Sequence, residues 1–407
     1  MTNTSLMLNM DPGVDSVVVI SPYFWNFRDD MWQTTHHVAK TFAQTYPTVF
    51  VEPNVPWNPG SEQFRGHRIS HSLVGPRTRS PRPNLVVFHR RGIPFGRLRA
   101  VREFDLSRNA RALRQLLADL GVRRPLLWHS FPYWSEPLIE AVDHARFAYH
   151  CLDHSARDEE LRLIRRADAV FCVSETLVQR HRAVNAHTYL LPNGVDLDLF
   201  SSTAASNAVR PRDLPAIGPL IGFAGSINYH LDLRLLVEVA ERFPECSVIL
   251  LGHVLSSETA PRGEQANALT RLRSLGNVHL LGFKPIEEVP AYVAAFNVCL
   301  IPFLDNPFNR ERDPLKFYQY TAMGKPVVTT PLQLARRYPD LCYLASSPSE
   351  FVDAITRALT EQRRQDLVEA RIAWARRHGW DSIVAEAVRL LASIPVAPLA
   401  GVARLGT

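Results

Sequence analysis

A chain of 407 residues with 46% hydrophobic and 21% charged residues is too apolar to stay disordered and long enough for two or three cores. No apolar run approaches the roughly 20 residues needed to span a bilayer, and the opening MTNTSLMLNMDPG lacks the basic and apolar regions of a signal peptide. The net charge of +6 hides a local excess, because residues 60–124 hold 15 Arg and no Lys against 4 acids.

In the first half, short apolar runs predict strands over 15–21, 48–53, 84–90, 125–130, 146–153 and 168–174. Helical patterns fall between them, over 31–45, 106–121, 134–144, 158–167 and 175–184. Doubly apolar strands alternating with helices imply a parallel sheet covered on both faces. Residues 201–219 are small, polar and Pro-rich, and read as a linker. The alternation then restarts, with strands over 219–226, 246–253, 278–283, 298–303, 325–330 and 342–345. Helices are predicted over 232–244, 286–296, 314–323 and 349–362, and a last one follows Trp380. The expected division is 1–200 for a first Rossmann-like domain, 201–218 for a linker, 219–378 for a second such domain, and 379–407 for a helix and tail that packs back on the first. Two parallel sheets present two sets of strand C-terminal ends to a shared cleft, where ligands bind in such folds.

Three segments of the second half carry a family resemblance. They are PNGVDLDLF (192–200), FAGSINYHLDLRLL (223–236) and NPFNRERDPLKFYQYTAMGKPVVTTP (306–331), in that order, with VHLLGFKPIEEVPAYVAAFNVCLIPF (278–303) upstream of the last. This ordered set resembles the GT-B-fold glycosyltransferases, in particular the retaining family 4 (glycosyl transferases group 1) type. It covers most of 185–345. The first half resembles them through its element order and the AYHCLDH and ADAVFCVSE segments. The resemblance implies an α/β fold with two Rossmann-like domains facing a central cleft. It also implies transfer of a hexosyl unit from a UDP- or GDP-sugar to a glycan, lipid-linked or small-molecule acceptor, with retention and without a metal or other cofactor, in cell-envelope polysaccharide or glycolipid synthesis.

A departing diphosphate gains negative charge, so its site needs cations and helix N-termini. Arg310, Arg312 and Lys316 flank a predicted helix start, with Asp313-Pro314 reading as its cap and first residue and Gly324 as its stop. The resemblance places Lys316 at the diphosphate; alone, it reads equally as a solvated first-turn lysine. Family members carry two glutamates eight positions apart, and here Glu311 and Gln319 hold those places. Gln319 keeps hydrogen bonds to ribose hydroxyls but loses the charge-assisted strength. Glu311 reads either as a donor-sugar contact or as an ion pair with its neighbours. Gly225, Ser226 and Asn228 form a strand-to-helix turn suited to phosphate oxygens. By resemblance Phe283 and Lys284 pack on the base, and Asn306 and Arg310 complete the donor side. On the acceptor side stand His129, a catalytic candidate at a strand end, with Asp153, His154, Trp25, Arg28 and Asp29.

Asp196 and Asp198 have the spacing of a metal-binding pair but lie in the PNGVDLDLF turn, so they read as structural. Five Cys without a CxxC spacing read as small buried hydrophobes of a reducing compartment. No metal is expected. The Arg-rich stretch suits solvated faces or a polyanionic surface. Without a nucleic-acid motif, an anionic membrane is preferred and no nucleic-acid partner is expected. The expected location is cytoplasmic, peripheral on the inner face of the cytoplasmic membrane. A competing expectation is a non-catalytic nucleotide-sugar-binding subunit of a transferase, motivated by Gln319 and the weakly basic 225–230 turn.

Overall fold

The computed structural model describes residues 10, 13–25, 33–53, 77–90, 92, 98–131, 136–155, 158–255, 260–361 and 364–395. The first half alternates β1 (Ser16–Ile20), α1 (Thr34–Phe42), β2 (Thr48–Val51), β3 (Thr78–Arg82), β4 (Leu85–Phe88), α2 (Arg99–Asp119), β5 (Pro125–Ser130), α3 (Glu136–Glu140), β6 (Arg146–Cys151), α4 (Asp158–Arg166), β7 (Ala169–Cys172), α5 (Glu175–Arg182) and β8 (Thr188–Leu190). Its strands form one eight-stranded sheet in the order β3-β4-β2-β1-β5-β6-β7-β8. All neighbours are parallel except the edge pair β3–β4.

A short helix α6 (Ser202–Asn207) lies within the Pro-rich connection. The second half continues with β9 (Leu220–Ala224), α7 (Leu233–Arg242), β10 (Ser247–Leu251), α8 (Glu264–Ser274), β11 (Val278–Gly282), α9 (Val289–Ala295), β12 (Val298–Ile301), α10 (Pro307–Arg310), α11 (Leu315–Ala322), β13 (Val327–Thr329), α12 (Gln333–Arg337), β14 (Tyr343–Leu344), α13 (Pro348–Thr360), α14 (Gln365–Arg376) and α15 (Trp380–Ala392). Six parallel strands run β11-β10-β9-β12-β13-β14. In each sheet the order reverses once, between β1 and β5 and between β9 and β12. Ligands of open α/β sheets bind outside the strand ends at such reversals.

The strand residues explain the layering. Every residue of β1, β5, β6, β9 and β10 is buried, as helices on both faces require. Alternate residues feed separate cores. Val17 and Val19 join Phe42 and Trp128 on one face of the first sheet, while Val18 and Ile20 join Leu127, Phe147 and Leu163 on the other. Burying each such aliphatic or Phe side chain stabilises by roughly 1.5–3 kcal/mol.

The last helix leaves the second sheet and crosses to the first. Trp380, Ile383, Val384, Ala387, Val388 and Leu391 of α15 join the core around Val17 and Trp128. The His37 ring of α1 stacks on Trp380 with centroids 5.0 Å apart. Beside it, Lys40 pairs with Asp196 at 2.5 Å, which gives that aspartate a structural partner. Among the described residues no helix is long and apolar enough to cross a membrane.

Candidate functional site

The loops after β9, β10, β11 and β12 open on one cleft of about 440 Å³, a size suited to a small ligand. Gly225, Ser226, Asn228, Gly252, Phe283, Phe303 and the start of α11 line it from the second half. Tyr23, Gln33, Thr34, Leu152, Asp153 and Asn193 line it from the first.

Two glycines make the floor possible. A Cβ on Gly225 would sit 2.1 Å from Lys316 Cε, and one on Gly252 would sit 2.1 Å from the Gly225 carbonyl oxygen. The β9 turn therefore lies directly under the Lys316 side chain, a closeness only glycine allows. The Lys316 ammonium stands over the Phe223 ring, 5.4 Å from its centre. Burial, and secondarily the neighbouring Arg312 charge, lower the Lys316 ammonium to about 8. Arg312 also lines the cleft, packs over Phe303 at 5.2 Å, and sits 3.7 Å from Asp153 of the opposite half. Burial raises the Asp153 carboxyl, and Arg312 opposes that rise.

Asp313 does not cap α11, contrary to the sequence expectation. Its Oδ2 accepts the Asn193 N–H at 2.6 Å, and the Tyr318 hydroxyl donates to Oδ1 at 2.8 Å. Pro314 takes the cap position and no side chain caps the helix. The reason is positional: Asp313 is drawn into the joint between the halves, where the Thr34 hydroxyl donates to Asn193 Oδ1 at 2.5 Å and Asn193 Nδ2 donates to the Asp313 carbonyl at 2.6 Å. Leu315 and Lys316, whose N–H groups open α11 without a side-chain cap, line the cleft with Pro314. Burial raises the Asp313 carboxyl to about 7. At the other end Gly324 follows the helix with φ 70, as its stop requires.

The remaining sequence candidates divide. Gln319 and Phe283 line the cleft, and the Phe283 ring stacks on His253 at 5.0 Å. Lys284 lines it too, but its ammonium is engaged by Asp213 at 2.7 Å, which raises its basicity. Asn306 caps α10 by accepting the Asn309 N–H at 2.8 Å, and Arg310 folds onto Asp305 with bonds of 2.5 and 2.7 Å, so neither is among the residues lining the cleft. Glu311 reaches across to Arg180 of the first half, at 3.2 and 3.4 Å, and Arg180 also donates to His154 Nδ1 at 2.6 Å.

His129 is not brought to the cleft. Its place in β5 turns the ring into the core, between Phe147 and Tyr149, with no exposure. Burial first and the Arg90 charge second lower it to about 3, so it stays neutral at physiological pH. Trp25 is likewise a core residue, packed edge-on against Phe50 at 5.0 Å. Arg28 and Asp29 lie outside the described residues. The structure keeps Arg312, one of the three expected cations, in the cleft and adds Asn193, Tyr23, Gln33 and Thr34. Asn193 sits inside the first of the segments that carried the resemblance, whereas nothing in the sequence marks the other three. A backbone sign of the first-half rim is Phe131, which follows β5 with φ 75. A non-glycine residue held there is strained, as residues at functional sites often are.

Comparison with known proteins extends the geometry. Residues 218–361 match the family described as glycosyl transferases group 1. A Bacillus subtilis protein named as a teichuronic acid biosynthesis glycosyltransferase is 26% identical over 299 residues, 65% of this chain and 71% of its own. The fold matches sucrose-phosphate synthase from Thermosynechococcus elongatus with a TM-score of 0.66 at 17% identity, over 92% of this chain and 98% of that one. It also matches an Anabaena protein solved with UDP and glucose, with a TM-score of 0.63 at 16% identity, over 93% and 99%.

Proposed function

Since this chain is a glycosyltransferase of the group 1 type with a GT-B fold, we propose that its cleft holds a nucleoside-diphosphate sugar against the second sheet and passes the hexosyl unit to an acceptor hydroxyl from the first. One observation carries this reading: Lys316, Arg312 and the uncapped start of α11 converge at the β9/β12 reversal. A leaving diphosphate needs that combination of positive charge and aimed N–H groups. The Anabaena neighbour, solved with UDP and glucose, supports a uridine donor.

In the proposed reaction the bond between the sugar's anomeric carbon and the diphosphate oxygen breaks, the acceptor oxygen bonds to that carbon, and the acceptor proton passes to the diphosphate. Lys316 and Arg312 offset the charge that the diphosphate gains. Asp153, on the opposite wall, orients the acceptor hydroxyl. Retention and metal independence belong to the same proposal, since fixed cations can stand where a metal would. Titration of UDP- and GDP-glucose into the chain, with NMR of any product's anomeric configuration and assay with and without added magnesium or manganese, tests it. Absence of binding by every sugar nucleotide sinks the donor assignment, and an inverted product or turnover that requires added magnesium or manganese sinks those two details. Binding without turnover over an acceptor panel selects the partner-subunit reading, which Gln319 and the Arg180–Glu311 pair favour.

The acceptor in this reading is an envelope polysaccharide or glycolipid, which the name of the Bacillus subtilis teichuronic acid relative supports. The start of α2 exposes Leu98 and Phe104, at 60% and 61%, among exposed Arg99 and Arg102. Exposed Leu98 and Phe104 beside arginines, one of which (Arg99) pairs with Glu103 at 2.7 Å, suit an anionic membrane surface. Co-sedimentation with liposomes should rise with anionic lipid content; equal recovery on neutral liposomes removes the membrane from the proposal.

A further inference from the structure

Behind the first-half wall lies a cluster that the donor chemistry does not use. Cys151 ends β6, Glu160 lies in the first turn of α4, and His181 lies in the last turn of α5. Their exposures are 1%, 1% and 2%. Cys151 Sγ is 3.5 Å from Glu160 Oε1 and 3.6 Å from His181 Nε2, and all three ligand atoms lie within 4.8 Å of one another. We propose that Cys151, Glu160 and His181 hold a zinc ion that ties the end of β6 to α4 and α5.

Three arguments support the assignment. The first is spacing. Zinc binds thiolate at about 2.3 Å and imidazole or carboxylate at about 2.0–2.2 Å, so tetrahedral neighbours stand about 3.5 Å apart. The two sulfur distances have that length.

The second is hydrogen-bond supply. The Cys151 thiol faces three acceptors, since the Asp153 carbonyl oxygen is also 3.5 Å from Sγ, and its further sulfur partner is the Cys172 thiol of β7. The His181 ring has no other anchor, because its Nδ1 is buried without a partner. A single S–H bond is weak for holding this arrangement, whereas a metal bonds both side chains at once.

The third is charge. Glu160 is buried with a hydroxyl, a thiol and a backbone group as partners, its carboxylate oxygen accepting from the Tyr149 hydroxyl at 2.9 Å, and Arg180 acts on it only through its field. A buried carboxylate without a cation is costly. Binding releases the thiol proton, after which thiolate, carboxylate and neutral imidazole balance the two positive charges of zinc. The mixed S, N and O set suits zinc. The Asp153 carbonyl or a water takes the fourth position.

The ion would sit two residues before Asp153 in the cleft wall and next to Arg180, which holds Glu311. Its role is to fix that wall. The spacing of the three residues follows no CxxC or HxxxH pattern, so the sequence reads Cys151 as a buried hydrophobe.

The test is metal content of the full chain, purified without a nickel column from zinc-supplemented medium. Mass spectrometry of the metals should find about one zinc per chain. Cys151→Ser and His181→Gln should each lower that about tenfold, while Cys246→Ser should leave it unchanged. Because those two variants could misfold, the wild-type chain is also stripped and refilled with cobalt. A thiolate-to-cobalt charge-transfer band, and a melting temperature lowered by stripping and restored by zinc, support the site. Wild-type protein without zinc and without that band, or variants that keep their zinc, overturns it.

Discussion

The two strand-end rims that face each other across the cleft are built alike and used differently. At the β9/β12 reversal the rim is open, and glycines, two cations and an uncapped helix reach the surface of one cleft. At the β1/β5 reversal the corresponding strand ends are filled. His129 and His150 are fully buried with both ring nitrogens unpartnered, and among the described residues the charged group that the first half brings to the cleft is Asp153. One topology thus gives the proposed diphosphate site where small residues let backbone and lysine approach. It gives a packed wall where large rings occupy the same position.

The contrast is broken most directly at Lys316. Lys316→Ala should lower turnover by roughly 10²–10³, as loss of one aimed positive donor does, while the melting temperature stays close to wild type. A tenfold or smaller loss would move the site elsewhere. The lowered basicity adds a pH signature. Below about pH 8 the ammonium is charged in the free protein, and above it the charge is lost. Donor affinity should therefore be flat up to about 8 and fall above it, and Lys316→Arg should shift that break upward.

Asp313 tests the joint between the rims. Its folded value, about 7, lies above the ordinary 3.8. The folded chain therefore holds this proton more tightly, and stability falls as pH rises from about 4 to 7 and then levels. The full effect is on the order of 4 kcal/mol. Denaturant unfolding of wild type and Asp313→Asn across that window should show a difference that grows with pH. Parallel curves would mean that the carboxyl is ionised throughout.

Gly225→Ala comes next. The added methyl would collide with Lys316 Cε, and it would also sit on a backbone at φ 153, which L side chains rarely adopt, so both the lysine and the turn are strained. A roughly tenfold loss in donor affinity is expected, with a stability loss of about 1–3 kcal/mol. Gln319→Glu is smaller still: a charge-assisted bond to a donor hydroxyl should tighten binding a few-fold. Weaker binding by calorimetry would show that the amide donates there instead.

The same contrast explains what the sequence discloses. The donor rim is legible because its groups lie in two continuous segments, 223–236 and 306–331, where an apolar strand, a glycine turn and a helix start follow one another. Asp313 misleads because a carboxylate before Pro314 has the chemistry of a cap, and only the fold reveals Asn193 beside it. The first rim is assembled from Tyr23, Asp153 and Asn193 of three separate loops and Thr34 at the start of α1, so no local pattern marks it. The missed elements include several that are short or of weak periodicity. β8 has three residues, β3 is an edge strand with no buried residue, α8 buries only Gln265, Ala268, Leu269 and Leu272, and α14 buries only Arg371, Trp374 and Ala375.

His129 supplies the smallest expected effect and the sharpest check on the filled rim. A histidine at a strand end facing a cleft reads as a catalytic group, yet here the β5 register turns its ring between Phe147 and Tyr149. Both nitrogens are buried without partners, an arrangement costing roughly 1–3 kcal/mol for each unpaired group. Leucine fills a similar volume without those polar atoms. His129→Leu should therefore keep turnover within about two-fold of wild type and leave the protein as stable or more so. If turnover instead drops a hundredfold in a variant that melts normally, the ring must reach the sugar in the working state. The packed wall would then open during the reaction, and the two rims would be alike in use as well as in plan.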